Sequence, residues 1–355
     1  MQNINFDSFI LDEDLEYLLE FSSTIWSKLD NKKIFLTGSS GFLGRNFLSA
    51  LFFVQKNSQY KFEITSLIKN VSNFYDLSVI NSSKNNFKVI EGGLEKLTEI
   101  KNEFDLIIHL ADQTATHEIY TDYNLFTITK EEILKRSKEN ISYVIEFIKN
   151  NKVKHLIYVS SGAVYESAIN ENRLLETDKV MSKPGGRYYN YSINKLLTEK
   201  IIREELIKYN VKFYNLRGFT FAGPHLNLDK KLAFAEFFRN CLNNRDIHIG
   251  GNPESKRSYM YSYEFVIWCL KLFANNSHSG CYNIGSTEET TILNLAQSIK
   301  DITKSNIKIT TTNELLEKNY YIPNIDLLEK EIGLTQRIMF QQIVERYYKW
   351  IKKAL

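Results

Sequence analysis

A chain of 355 residues exceeds a typical single domain, and with 43% hydrophobic and 13% aromatic residues it can bury a sizeable core. The formal net charge is only +3. Its 45 Lys and Arg are interleaved with 42 Asp and Glu rather than gathered into a stripe, which argues against a nucleic-acid partner. Cys241, Cys269 and Cys281 form no C-x-x-C pair, and no two of the six histidines stand at i, i+4, so neither a disulfide framework nor a metal site is expected. No basic segment precedes an apolar run, and no stretch of about 18 apolar residues exists. The expectation is a cytoplasmic protein with no membrane partner.

In chain order, residues 1–31 precede the first strong strand. Within them Leu15, Leu18, Leu19, Ile25 and Trp26 follow loosely helical spacing. This predicts a helical extension lying on the main body, a partner-binding helix being the other reading. Strands are predicted at Lys33–Thr37, Ile64–Ile68, Phe87–Ile90, Leu106–Leu110, His155–Ser160 and Val211–Leu216. Helical periodicity runs from the first strand's turn through Val54, and again over Glu131–Lys149 and Lys195–Tyr209. Strands apolar throughout and alternating with helices predict an α/β fold whose parallel sheet is covered on both faces. After Gly223-Pro224 strands become scarce, and Ala233–Leu242, Tyr263–Phe273 and Gln341–Lys353 read as helices. The expected organisation is an extension over 1–31, a doubly wound domain over 32–220, and a smaller, mostly helical lobe over 221–355 with some chain crossing between lobes.

The first strand leads directly into Gly38-Ser-Ser-Gly41-Phe-Leu-Gly44 and then a helix. Gly38 permits the tight turn, Gly41 lets the backbone approach a pyrophosphate, and Gly44 lets helix and strand pack closely. The helix N-terminus offers free N–H groups to phosphates. This predicts a nicotinamide dinucleotide site. At the end of the second strand, where a carboxylate would favour NAD, stands Lys69, which can pair with a 2′-phosphate and so favours NADP over NAD. Glu63 lies too far back along the strand to serve.

Tyr191-Ser-Ile-Asn-Lys195 places a phenol and an ammonium four residues apart on one helical face. A tyrosine is a poor base until a nearby positive charge lowers its pKa, after which it can move the proton of a sugar hydroxyl or carbonyl during hydride transfer. Lys195 can also bond the nicotinamide ribose. Ser160-Ser161, at the end of a strand, offers the hydroxyl needed to hold the substrate oxygen.

Together these residues resemble the extended short-chain dehydrogenase/reductase superfamily, in its NAD-dependent epimerase/dehydratase group, which modifies nucleotide sugars. The resemblance spans residues 33 to about 300. It rests on the glycine turn, His109-Leu-Ala111, Ser160-Ser-Gly-Ala-Val-Tyr165, Tyr191-Ser-Ile-Asn-Lys195, Leu216-Arg-Gly-Phe-Thr-Phe-Ala-Gly-Pro224, Arg257-Ser-Tyr259 and Tyr282-Asn-Ile-Gly285. It implies a Rossmann-type domain, a C-terminal lobe gripping a nucleoside-diphosphate sugar, and a homodimer. Ser161 would be the catalytic hydroxyl, Tyr191 the acid or base, and Lys195 its partner. Gly38, Ser40, Gly41, Phe42, Leu43, Gly44, Leu110 and Ala111 would line the cofactor with Tyr191 and Lys195. Thr220, standing where an Asn is usual, would sit with Ser161 at the substrate, and Arg257 would reach its diphosphate.

The family's dehydratases carry Asp and Glu directly after the catalytic hydroxyl residue, and its decarboxylases a Glu at the second of these places. This chain has Gly162 and Ala163 there. Gly93 and Asp112 also depart from the family pattern and suggest altered cofactor contacts. Dehydration and decarboxylation are disfavoured. The expected reaction is NADPH-dependent reduction of a nucleotide-linked 4-keto-6-deoxy sugar, of the kind that supplies surface polysaccharides, with an NAD-dependent 4-epimerase as the alternative. A catalytically silent dinucleotide-binding protein is the reading from another class.

Overall fold

In a computed structural model of the chain, seven parallel strands form one sheet: β1 Lys33–Thr37, β2 Glu63–Ile68, β3 Phe87–Glu91, β4 Leu106–His109, β5 His155–Ser161, β6 Lys212–Gly218 and an edge strand, β11, Gly280–Ile284. The structure describes residues 9–71, 86–111, 130–165, 172–180, 189–229, 232–312 and 316–354; Asp112 lies outside them. The strand order is β11-β6-β5-β4-β1-β2-β3, every pair parallel. The chain winds outward from β1 to β3 and then crosses back to β4 on the other side. The junction of β1 and β4 is therefore the topological switch point, outside whose carboxyl ends α/β sheets bind ligands.

Residue alternation along the strands builds two cores. Ile34 and Leu36 of β1, with Leu106 and Ile108 of β4, face a core that contains Phe47, Leu48 and Leu51 of helix α2 (Phe42–Asn57) and Phe265 and Trp268 of helix α6 (Ser262–Ala274). Phe35 and Ile107 face the opposite core, shared with Val144, Phe147 and Ile148 of α3 (Lys130–Asn150) and Ile202 and Leu206 of α4 (Tyr189–Leu206). Both faces are dry, which is why these strands read as continuous apolar runs.

The strands through β6 lie within two residues of their expected bounds. Two differences are informative. Helix α4 begins at Tyr189, six residues before the predicted start, because Ser192 Oγ anchors its polar first turn to the Ala163 carbonyl at 2.5 Å. No apolar periodicity announces that turn. The other difference is β11, which returns from the far side of Pro224 to pair Cys281 with Asn215 and Tyr282 with Leu216. Around it the later chain adds short strands, β7 Phe221–Ala222, β8 Ile247–Ile249, β9 Lys256–Arg257, β10 Met260–Tyr261, β12 Thr290–Thr291, β13 Ile309–Thr311 and β14 Tyr320–Tyr321, and helices α5 Ala233–Leu242, α7 Ile292–Thr303, α8 Asp326–Ile332 and α9 Phe340–Ala354.

The described part of the N-terminal segment is built into the larger core. Leu18, Ile25, Trp26 and Leu29 are fully buried around α1 (Asp12–Leu19) and a π-helical turn at Ser22–Trp26. The Trp26 indole N–H donates to the Leu18 carbonyl at 2.6 Å. Asp14 accepts from the Tyr261 hydroxyl and from Arg346 of α9, both at 2.7 Å, while Glu13 meets Lys349 at 3.1 Å. Trp26→Ala should cost about 3–5 kcal/mol, the usual range for emptying a buried aromatic site. Urea unfolding would show this as a lower midpoint at constant slope, and a loss under about 1 kcal/mol would mean the segment is not part of the cooperative unit.

Glu264 of α6 is fully buried and accepts the Arg337 amide at 2.7 Å. Burial pushes its carboxyl up to about 7. The folded chain thus binds this proton more tightly than the unfolded chain does. The stability it carries is complete below about pH 4.5 and falls as pH rises toward 7. Glu264→Gln removes that dependence. Urea midpoints should show the variant gaining on the parent as pH rises from 5 to 8, and a constant difference across that range would refute the assignment.

Candidate active site

At the switch point, Gly38 and Gly44 have no room for a side chain. Gly38 turns at φ +72°, and a Cβ there would lie 2.6 Å from the Ala111 nitrogen. A Cβ on Gly44 would meet the Gly38 carbonyl oxygen at 2.2 Å. At Gly41, by contrast, a Cβ meets only that oxygen, at 3.3 Å, so the space beside it is open. Gly41 is the N-cap of α2 with no side chain capping it, leaving the first helical N–H groups directed at that space. The cradle fits a pyrophosphate.

Ser40 is exposed in the turn, and Phe42 and Leu43 pack half-buried against the larger core. Leu110 and Ala111 close the other side: their amides donate to the Thr37 carbonyl and Thr37 Oγ1, each at 3.2 Å. Thr37 Oγ1 also shares a 2.7 Å hydrogen bond with His109 Nδ1, which ties β1 to β4. Lys69 is exposed one residue beyond β2, at the same end of the sheet as Gly38. Glu63 stands at the start of β2, 3.8 Å from Lys33.

Tyr191 lies in the first turn of α4, half-exposed, and Lys195 is buried one turn later. The Lys195 ammonium donates to the Val159 carbonyl of β5 at 3.0 Å and sits 5.0 Å from the Tyr158 ring and 5.6 Å from the Tyr191 ring. The structure thus brings this pair against the end of β5. The two serines there point opposite ways, as strand alternation requires. Ser160 is buried and its hydroxyl bonds the Glu199 carboxylate of α4. Ser161 is half-exposed and caps a short 3-10 turn, Gly162–Val164, accepting the Ala163 amide at 3.1 Å. Of the two hydroxyls, only that of Ser161 lies on the open side.

Thr220 is half-buried, its carbonyl accepting the Met260 amide at 3.0 Å. Arg257 of β9 is paired in register with Tyr321 of β14 and has its guanidinium 5.9 Å from that ring. Tyr321 in turn reaches the turn after β5: a Cβ added to Gly162 would lie 2.6 Å from its hydroxyl and 2.9 Å from the Phe219 ring. Arg257 is thereby linked through one tyrosine to the end of β5. A side chain at position 162 would have to displace the Tyr321 hydroxyl and the Phe219 ring edge.

The sequence assigned no role to Phe219, Tyr321, Glu199 or Arg217, although Arg217 and Phe219 lie within Leu216–Pro224, a segment that carries the family resemblance. Glu199 did carry a signal, since it follows Tyr191 and Lys195 at i+8 and i+4 on one face of α4. Tyr321 lies 160 residues from Ser161 with nothing in its surroundings to mark it.

A model of the NAD dependent epimerase/dehydratase family matches residues 34–285. Among curated relatives, the dTDP-D-glucose 4,6-dehydratase of Dictyostelium discoideum is 26% identical over 285 residues, which cover 76% of this chain and 62% of that protein. The dTDP-4-dehydro-6-deoxyglucose reductase of Escherichia coli is 26% identical over 279 residues, covering 75% and 80%. Among solved structures, UDP-N-acetylglucosamine 4-epimerase from Methanobrevibacter ruminantium, in complex with UDP-N-acetylmuramic acid, superposes with a TM-score of 0.75 at 21% identity, over 92% of this chain and all of that one. UDP-glucuronic acid 4-epimerase from Bacillus cereus, in complex with UDP-glucuronic acid and NAD, gives 0.72 at 19% identity over 91% and 100%. At these identities the two structures share the fold. Among the described residues, no helix is long and apolar enough to cross a membrane.

Proposed function

The chain belongs to the NAD dependent epimerase/dehydratase family of nucleotide-sugar enzymes, and from that premise we propose that it reduces a nucleotide-linked 4-keto-6-deoxy sugar with NADPH. The observation that carries this reading is that Gly162 and Ala163, not acids, follow Ser161, with the Tyr321 hydroxyl and the Phe219 ring edge lying where a side chain of residue 162 would begin. Elimination of water lacks its acid there, whereas reduction needs only a hydride and one proton.

A bound nicotinamide dinucleotide supplies the hydride. The chain's own groups do the rest. The glycine turn and the N-terminus of α2 hold the pyrophosphate, and Leu110 and Ala111 bound the site beside it. Lys69 meets the 2′-phosphate of NADPH in this reading. Lys195 holds the nicotinamide ribose and keeps a positive charge near the Tyr191 ring. Ser161 donates a hydrogen bond to the C4 carbonyl oxygen of the sugar. Tyr191 delivers a proton to that oxygen, so the ketone becomes a secondary alcohol. Arg257 binds the diphosphate. A homodimer is the expected assembly.

The test is direct. Purified protein mixed with dTDP-4-keto-6-deoxyglucose should oxidise NADPH mole for mole, followed at 340 nm, and leave a 4-hydroxy sugar. Should NADPH stay unoxidised with dTDP- and UDP-linked 4-keto sugars alike, reduction is excluded. Protein that purifies with NAD bound and interconverts C4 epimers with no added cofactor would establish the epimerase instead.

A further inference from the structure

We infer that Glu199 and Arg217, acting through Ser160, are positioning residues that fix Ser161 relative to Tyr191; this rests on the reading of Ser161 and Tyr191 given above. The Glu199 carboxylate bonds the Ser160 hydroxyl, one residue before Ser161. It is itself held by Arg217 of β6, Nη2 to Oε2 at 2.8 Å and Nε to Oε1 at 3.2 Å. The remaining guanidinium nitrogen donates to the Tyr165 hydroxyl at 2.9 Å and the Glu176 carbonyl at 3.2 Å. Tyr165 passes its own hydrogen to Asn283 Oδ1 of β11 at 2.6 Å, and the Asn283 amide side chain donates to the Leu174 carbonyl at 2.8 Å. Ser160, Tyr165, Glu199, Arg217 and Asn283 are all buried.

A buried ion pair of this kind is a poor source of stability, because desolvating both charges offsets most of their attraction. What such a pair provides is geometry. Its directional bonds join four elements at one point: the end of β5, helix α4, strand β6 and the chain beyond Gly162. Helix α4 carries Tyr191 two turns before Glu199. One carboxylate thus sets the distance between the strand that presents the hydroxyl and the helix that presents the phenol. Rate falls steeply when reacting groups are misplaced by about 1 Å, while ground-state binding falls little.

The experiment compares Ser160→Ala and Glu199→Gln with the parent, using dTDP-4-keto-6-deoxyglucose and NADPH. Ser160→Ala removes a single hydroxyl and leaves the ion pair intact, so the variant remains folded. Its kcat should fall roughly 10- to 100-fold, with KM and the NADPH dissociation constant within about threefold of the parent. Glu199→Gln should lose more, since it leaves a buried guanidinium without its counter-charge. Hydrogen exchange of the peptide 159–164, measured without substrate, should quicken in Ser160→Ala while that of 33–37 is unchanged. An undiminished kcat in Ser160→Ala, or a loss shared equally between kcat and NADPH affinity, overturns the inference. If the parent fails to oxidise NADPH, the proposed reaction is wrong, and the exchange data alone decide: unaltered protection of 159–164 overturns the positioning role.

Discussion

Tyr191→Phe should lower turnover roughly 100- to 10,000-fold, the usual contribution of a positioned proton donor, while leaving cofactor binding within a few-fold of the parent. The ring remains in the variant. The Lys195 ammonium, 5.6 Å from its centroid and bonded to the Val159 carbonyl, keeps its place. Only the phenolic hydroxyl is gone. The measurement is kcat with a keto sugar beside NADPH binding followed by fluorescence. Unchanged kcat would refute the role of Tyr191, and a parallel collapse of NADPH affinity would mean that the hydroxyl serves the cofactor rather than the proton.

The second large effect belongs to the glycine turn, where two neighbouring substitutions should part company. Gly44→Ala forces a methyl to within 2.2 Å of the Gly38 carbonyl oxygen and 2.5 Å of the Ser39 Cα, both backbone atoms that cannot swing aside. Helix α2 must lift off β1, at a cost of about 1–3 kcal/mol or more, and cofactor binding should be lost with the geometry of the turn. Gly41→Ala meets one atom at 3.3 Å and faces open space. That variant should lose far less of its urea midpoint than Gly44→Ala but weaken dinucleotide binding, because its methyl stands where the pyrophosphate approaches. Equal destabilisation of the two variants would show that Gly41 is a packing residue and not a cradle.

The parts of this site legible in the sequence are those made by short-range chemistry. The turn from Gly38 to Gly44 needs three glycines at fixed offsets, and Tyr191 and Lys195 meet through a single helical turn. Strands β1, β2, β4, β5 and β6 could be read because burial on both faces leaves apolar runs, while β3, at the sheet edge with no fully buried residue, keeps only Phe87, Val89 and Ile90 as its apolar signal. Illegible were features whose cause lies far along the chain. Strand β11 is five residues long with a polar Asn283 in it, and it is a strand only because β6 offers an open edge. The Ser160–Glu199–Arg217 contacts join β5, α4 and β6, and charged residues in a sequence read by default as solvated surface. Tyr321 comes to Gly162 because β14 pairs with β9, and a two-residue strand leaves no periodicity to read.

The clasp between Asp14 and Arg346 bears on how the protein is made. Its partners are 332 residues apart. A ribosome delivers Trp26, Leu18 and Ile25 early, yet the helix that locks their segment down emerges only after the whole sheet has been synthesised. Until then these apolar groups pack on α2 and, once it emerges, on α6, but lack the polar clasp to α9. Such distant pairings close slowly, because loop entropy must be spent before any contact rewards it. Joining of the α1 segment to α9 should be the last step of assembly, and the interval before it is when the nascent chain is most open to chaperones and to aggregation.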